Sequence, residues 1–334
     1  MNPTIKDVAK RANVSIATVS RVLNNLGGYT DKTRQRVNEV IKEIGYQPNA
    51  IARGLINKRT QTIGVLFPSV SSSFSSDILQ GVEDFAHGRN YSIVVCNTDD
   101  DGKRTMKYLQ LLREKQVDGI IFSSSELKDE YREAIGNMKI PVVLISSQSN
   151  DSAIPYVKID DSLAAYDAVD YLVAKGHRKI AMISGGKDDI LTGSPRVQGY
   201  LRALQKHGIP FDERYLVYGD FRFESGSREF ENLLRTVPDL TAVFAASDEM
   251  AIGVLSAAYK HGLTVPGDIS VIGLDGLPLS SMVVPPLTTV RQPLVEMGQM
   301  ASEILIQMIE TGQAATGTIV PHSIVERQTV RTLA

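Results

Sequence analysis

The chain has 334 residues, 43% hydrophobic and 22% charged, with a net charge of −2, a composition that fits two or three ordinary globular domains. No apolar run is long enough to span a bilayer, no apolar leader core opens the chain, and one cysteine, Cys96, excludes an internal disulfide framework. A cytoplasmic protein is expected, with Cys96 a small buried hydrophobe in the strand-like SIVVC. The charge is uneven: residues 1–60 carry eleven Lys/Arg against four Asp/Glu, a surplus of +7 that leaves −9 on the remainder. A basic head on an acidic body implies a polyanionic partner for the head alone.

Residues 4–24, TIKDVAKRANVSIATVSRVLN, read as two short helices and a tight turn. Thr4 caps the first, with Asp7 in its first turn, and Val8, Ala9 and Ala12 share one face. Asn13 and Val14 break the pattern, and Ser15 caps the second helix. There Val19, Val22 and Leu23 turn inward, leaving Ile16, Ala17, Thr18, Ser20, Arg21 and Asn24 outside. Short side chains let a helix approach base edges, apolar ones meet a thymine methyl, and Arg pairs with guanine O6 and N7. A third helix, Asp31–Ile44, carries the stripe Val37, Val40, Ile41, Ile44, with Thr30 as cap and Gly45 as stop. The pattern predicts an all-α helix-turn-helix DNA-binding domain over residues 1–46.

Residues 47–60, QPNAIARGLINKRT, form a linker in which Pro48 can open a helix of about two turns, too short to persist alone. Helix formation on DNA is expected. Leu55, apolar on a basic segment, suits a wedge between base steps of a minor groove; a plain tether with one stray leucine fits the segment equally well.

From Thr62 apolar strands alternate with helices. The strands are TIGVLFP, YSIVVCNT, GIIFSS and PVVLISS, then KIAMISGG, YLVYGD, AVFAAS and ISVIGLD, with strand-like pieces near 317–326. The helices lie near 77–89, 103–116, 130–137, 163–175, 194–207, 224–236, 248–261 and 295–311. Two such rounds predict an α/β core of two doubly wound parallel-sheet lobes with a cleft between them. Ligands of such sheets sit beyond the strand carboxyl ends. The loops there offer Phe74 and Phe221 as stacking faces, and Arg196, Asp248 and Asp275 for charge and hydrogen bonds, a set suited to a sugar or nucleobase. For any one of them taken alone, helix capping or packing is the better account.

No nucleotide-binding glycine loop, HExxH or GxSxG elbow occurs. The five histidines are scattered, mostly in helix-end contexts such as KGHRK and KHG. Neither an enzyme, nor a metal site, nor a cofactor is expected.

The segments IKDVAKRANVSIATVSRVLN, GYQPNAIARGL, VDGIIF, GHRKIAMISG, SDEMAIG, PGDISVIGLD and PPLTTVRQP together resemble the lactose/galactose repressor (LacI/GalR) family, in order and across the whole chain. The N-terminal signature and the hinge are the specific parts; the body motifs also occur in periplasmic sugar-binding proteins. The resemblance implies a helix-turn-helix domain (1–46), a hinge helix (47–60) and a periplasmic-binding-protein-like core. The core's N-terminal lobe would take residues 61–161 and 291–321, and its C-terminal lobe 162–290 and 322–334. It implies homodimers, some members being tetramers, on pseudo-palindromic double-stranded operators, and no membrane partner. By motif, Ile16, Ala17 and Arg21 would read bases. Thr4, Ser15, Thr18, Ser20, Asn24, Thr30 and Asn49 would mostly touch phosphates. Ala52 and Leu55 would enter the minor groove, with Leu55 the kinking wedge. Phe74, Thr192, Arg196, Phe221, Ser247, Asp248 and Asp275 match effector positions.

Ser146 stands where many members carry an Asp that contacts the ligand, so the sugar-hydroxyl contact of that position is not implied for this chain; Ile190 replaces a polar position of purine-binding members, which weighs against a purine. A sugar or sugar phosphate effector is therefore expected over a purine. The alternatives are a catabolite-control regulator with a protein co-effector, or a sugar-binding protein without a regulatory role. In catabolite-control members the helix near 295–308 docks the phosphocarrier HPr; EMGQMASEIL does not closely match that motif, and this partner is not expected.

Overall fold

The computed structural model describes residues 3–23, 25–46, 59–98, 103–123, 128–149, 151 and 153–333. They form two compact units, Met1–Gln61 and Thr62–Ala334.

The first unit holds α1 (Ile5–Ala12), α2 (Ile16–Leu23) and α3 (Asp31–Ile44). Each start is secured locally. The Asp7 carboxylate accepts the Thr4 amide at 2.8 Å and the Thr4 hydroxyl at 2.7 Å, and these bonds hold it below the usual carboxylate range. Ser15 Oγ accepts the Thr18 amide at 3.0 Å, and Thr30 Oγ1 accepts the Thr33 amide at 3.2 Å. Asn13 and Gly45 end α1 and α3 in the left-handed region, φ 53° and 65°. Val8, Ala9, Ala12, Val19, Val22, Val37 and Val40 make the core, with Leu23, Ile41 and Ile44 half-buried against it. Most of the expected hinge helix, residues 47–58, lies outside the described residues.

The second unit begins β1 (Thr62–Phe67), α4 (Ser73–Gly88), β2 (Ser92–Asn97), α5 (Thr105–Glu114), β3 (Gly119–Phe122), α6 (Asp129–Met138), β4 (Val142–Ile145) and β5 (Tyr156–Ile159). It continues with α7 (Asp161–Ala174), β6 (Ile180–Ser184), α8 (Gly193–Lys206), β7 (Leu216–Tyr218), α9 (Phe223–Thr236), β8 (Ala242–Ala245), α10 (Asp248–Lys260) and β9 (Ser270–Asp275). Then come α11 (Leu279–Met282), β10 (Thr288–Arg291), α12 (Leu294–Thr311), β11 (Thr318–Val320) and β12 (Ser323–Val325).

Two six-stranded sheets result, ordered β11-β5-β4-β3-β1-β2 and β12-β10-β9-β8-β6-β7. All described pairings are parallel except β10 with β12. Their central strands are buried without alternation, as sheets covered on both faces require. The chain passes between sheets after β5, after β10 and after β11. The second passage carries α12 back onto the first sheet, against β3, β4 and α4. That packing is close enough to demand glycine: a Cβ on Gly81 of α4 would stand 1.9 Å from the Val295 carbonyl oxygen.

Strands β5 and β10 were not anticipated from the apolar pattern. Both carry buried polar side chains, Lys158 in one and Thr288 and Thr289 in the other. Cys96 is buried in β2, and burial pushes its thiol up to about 11. No described helix is long and apolar enough to cross a membrane.

Candidate functional site

In the first unit, Ile16, Ala17 and Arg21 are exposed on α2, opposite the Val19–Val22 face, while Thr18 and Ser20 are half-buried. Thr4, Ser15 and Thr30 are exposed, and each is engaged in its own helix cap. The structure therefore brings the expected base readers together on one helical surface. Asn24, Asn49, Ala52 and Leu55 lie outside the described residues.

In the second unit the carboxyl ends of both sheets face a cavity of about 890 Å³. The first turn of α4 supplies Phe74, the end of β4 Ser146, the β6–α8 loop and α8 Thr192 and Arg196, and the loop after β7 Phe221. The β8–α10 turn supplies Ser247, and the end of β9 Asp275. Asp248 is the exception. It does not line the cavity; its carboxylate turns inward, accepting the Leu277 amide at 2.7 Å and the Thr289 hydroxyl. Lys158, Asp161, Glu249 and Gln292 line the cavity without having been foreseen.

Phe221 is positioned by its neighbours. Its backbone is left-handed, φ 66°, a conformation costly for a residue with a Cβ. Ser247 Oγ donates to the Phe221 carbonyl at 2.9 Å while accepting the Met250 amide at 3.1 Å as the cap of α10. The ring fills the space over Gly185, where a Cβ would stand 2.0 Å from Phe221 Cζ. The Arg196 guanidinium carbon lies 5.7 Å from the ring centroid.

The cavity floor is ionic. Arg196 Nε and Nη2 reach Asp161 Oδ1 at 3.0 and 2.8 Å, and Arg196 Nη1 donates to the Ala246 carbonyl. Lys158 Nζ stands 3.1 Å from Asp161 Oδ2 and 3.4 Å from the Leu191 carbonyl. Gln292 Nε2 donates to Asp275 Oδ1 at 2.9 Å. Burial holds the Asp275 carboxyl well above the usual range, against the pull of Arg196 and with a push from Asp248. Burial also raises Glu249, opposed by Arg222 and reinforced by Glu224 and Asp220. Aromatic faces, buried polar groups and opposed charges suit a small polar ligand with several hydroxyls. Among the described residues no His, Cys, Asp and Glu cluster could hold a metal ion.

Known proteins match this arrangement along the full chain. Residues 4–49 match the family model for bacterial regulatory proteins of the lacI family. Residues 60–328 match that for periplasmic binding proteins and the sugar-binding domain of the LacI family. Catabolite control protein A of Priestia megaterium is 40% identical over 99% of this chain and 100% of its own length. The lac repressor dimer bound to operator and the anti-inducer ONPF superposes with a TM-score of 0.88 at 29% identity, covering 99% of this chain and 100% of that one. The transcriptional regulator CelR in complex with cellobiose gives 0.75 at 30% identity, covering 98% and 99%.

Proposed function

The chain belongs to the LacI family of bacterial regulatory proteins and is a DNA-binding transcriptional regulator, and from that premise we propose a homodimeric repressor whose operator affinity is set by a sugar or sugar phosphate in the inter-lobe cavity. The observation that carries the effector half is the cavity itself, lined by Phe74, Phe221, Arg196 and Asp275. A related regulator holds cellobiose. Because the chain crosses between the sheets three times, twice at residues that line the cavity, a ligand that draws the lobes together alters the geometry that two hinge segments present to DNA. Coupling of this kind amounts to about 1–3 kcal/mol, and induction is the sense favoured here. The test is selection of an operator from a random duplex pool, then titration with neutral sugars, sugar acids and sugar phosphates. Operator affinity that none of them alters removes the effector half. Affinity that does not fall steeply with salt removes the DNA half. The likeness to catabolite control protein A favours a second reading, a global regulator with a protein co-effector.

Ile16, Ala17 and Arg21 are assigned to base edges. Arg21→Ala should cost about 1–3 kcal/mol at a single operator position, measured by competition among single-base variants. A uniform loss across all sequences would make Arg21 a phosphate contact instead. Leu55 is assigned to the minor groove as a wedge, with Ala52 beside it. Leu55→Ala should weaken operator binding and abolish DNA bending in a gel-mobility bending assay; unchanged bending would remove the wedge.

A further inference from the structure

The charges on the cavity floor do not balance. One carboxylate, Asp161, serves two cations, Lys158 and Arg196, and the three side chains are only 5–7% exposed. Among the described residues no second ion pair reaches either cation, Asp275 included. A buried surplus of positive charge is costly unless something answers it.

The same corner holds a second unanswered group. Ile145 and Val157 pair across β4 and β5, so Ser146 and Lys158 follow side by side at the two carboxyl ends. Ser146 is left-handed, φ 51°, and its Oγ is buried with no hydrogen-bond partner among the described residues. Both residues line the cavity. An ammonium and a hydroxyl together, backed by a guanidinium, form a receptor for an oxyanion.

We propose that the effector carries a carboxylate, as a uronic or aldonic acid does, and that the carboxylate is received at the Ser146–Lys158 corner. This rests on the reading of the cavity as the effector site. Carboxylate is favoured over phosphate by the rest of the wall. Asp189, Asp220, Glu224 and Glu249 also line the cavity, and their charges repel the second charge of a phosphate ester more than the single charge of a carboxylate.

The experiment is thermal unfolding of the full chain at fixed ionic strength. The probes are D-glucuronate, D-galacturonate and D-gluconate, each beside D-glucose, D-galactose and glucose 6-phosphate. At least one acid should raise Tm by several degrees, with neutral sugars and the phosphate ester inert. Lys158→Met should weaken that acid at least tenfold, and Ser146→Ala should weaken it less. Without ligand, neither variant should lower Tm, because Asp161 keeps Arg196 and the orphaned hydroxyl is removed. No shift with any of the three acids overturns the proposal, as does a shift confined to neutral sugars or to the phosphate ester. An undiminished acid response in Lys158→Met overturns it, and so does a fall of several degrees in that variant's ligand-free Tm. A neutral sugar that shifts Tm and changes operator affinity would overturn the carboxylate while leaving the effector cavity standing. Operator affinity indifferent to every probe would count against the cavity reading itself.

Discussion

Replacing Asp161 with Asn should lower the stability of the α/β core by about 3–5 kcal/mol, the cost of leaving buried charge uncompensated. Among the described residues Asp161 is the one carboxylate paired with Lys158 and Arg196, at 3.1 and 2.8 Å, with all three side chains nearly closed to solvent. The amide keeps the shape and removes the charge, so two cations are left facing each other where little water screens them. The fitting control is Asp239→Asn. That residue pairs with Lys179 at 3.1 Å, but both side chains are more than half exposed, and such pairs contribute within about 1 kcal/mol. Urea unfolding of the two variants decides the matter. Equal losses would mean that the floor network is as well solvated as the surface pair. The loss should also reach the site, because Arg196 sits against Phe221 on the strength of its Asp161 and Ala246 bonds.

What the sequence made legible follows the range of the forces involved. The starts of α2 and α3 were readable because Ser15 and Thr30 bond to amides three residues on. The parallel sheets were readable because their central strands are apolar throughout. Strand β10 was not, because Thr288 and Thr289 look like loop residues until their partners are known. Those partners are distant: Arg327 donates its amide to Thr288 Oγ1, and Thr289 Oγ1 donates to Asp248. Lys158 hid β5 in the same way, since its counter-ion belongs to the following helix and that helix packs on the other sheet. A charged residue inside an otherwise apolar strand, three positions before an acid, was the available signal.

Asp248 shows the limit for single residues. An Asp opening a helix after a strand suits either the cavity or the interior. The choice is made by the Leu277 amide and the Thr289 hydroxyl, 29 and 41 residues further along. The family likeness raised Phe74, Thr192 and Arg196 above their local ambiguity, and the fold gathers them at one cavity. It offered nothing for Lys158 or Asp161.

That interior placement gives Asp248 a measurable pH signature. Burial pushes its carboxyl from 3.8 up to about 6, while the bonds from Thr289 and Leu277 and the charge of Arg327 hold it down. A folded-state pKa above the unfolded one means that the folded protein keeps a proton the unfolded chain has lost. The stability this contributes is fully present below pH 3.8 and is lost as pH rises to about 6. The displacement corresponds to roughly 3 kcal/mol. Asp275, raised by burial and by the neighbouring Asp248, carries the same sign. Buried His177, whose pKa burial lowers, works in the opposite direction below 6.5 and masks the trend in the parent protein.

The difference between Asp248→Asn and the parent removes that mask, because His177 is common to both. Asparagine can still accept the Leu277 amide, and the Thr289 hydroxyl has the Val290 carbonyl at 3.4 Å as a second acceptor. Relative to the parent, the variant should therefore gain roughly 2 kcal/mol between pH 4 and pH 6.5, measured by denaturant unfolding at several pH values. Without the Asp248 charge beside it, Asp275 also ionises more readily, which adds to the gain and changes what the cavity presents to a ligand. A difference that stays constant across that range would mean that Asp248 is ionised and well solvated in the folded protein, against the burial of its carboxyl.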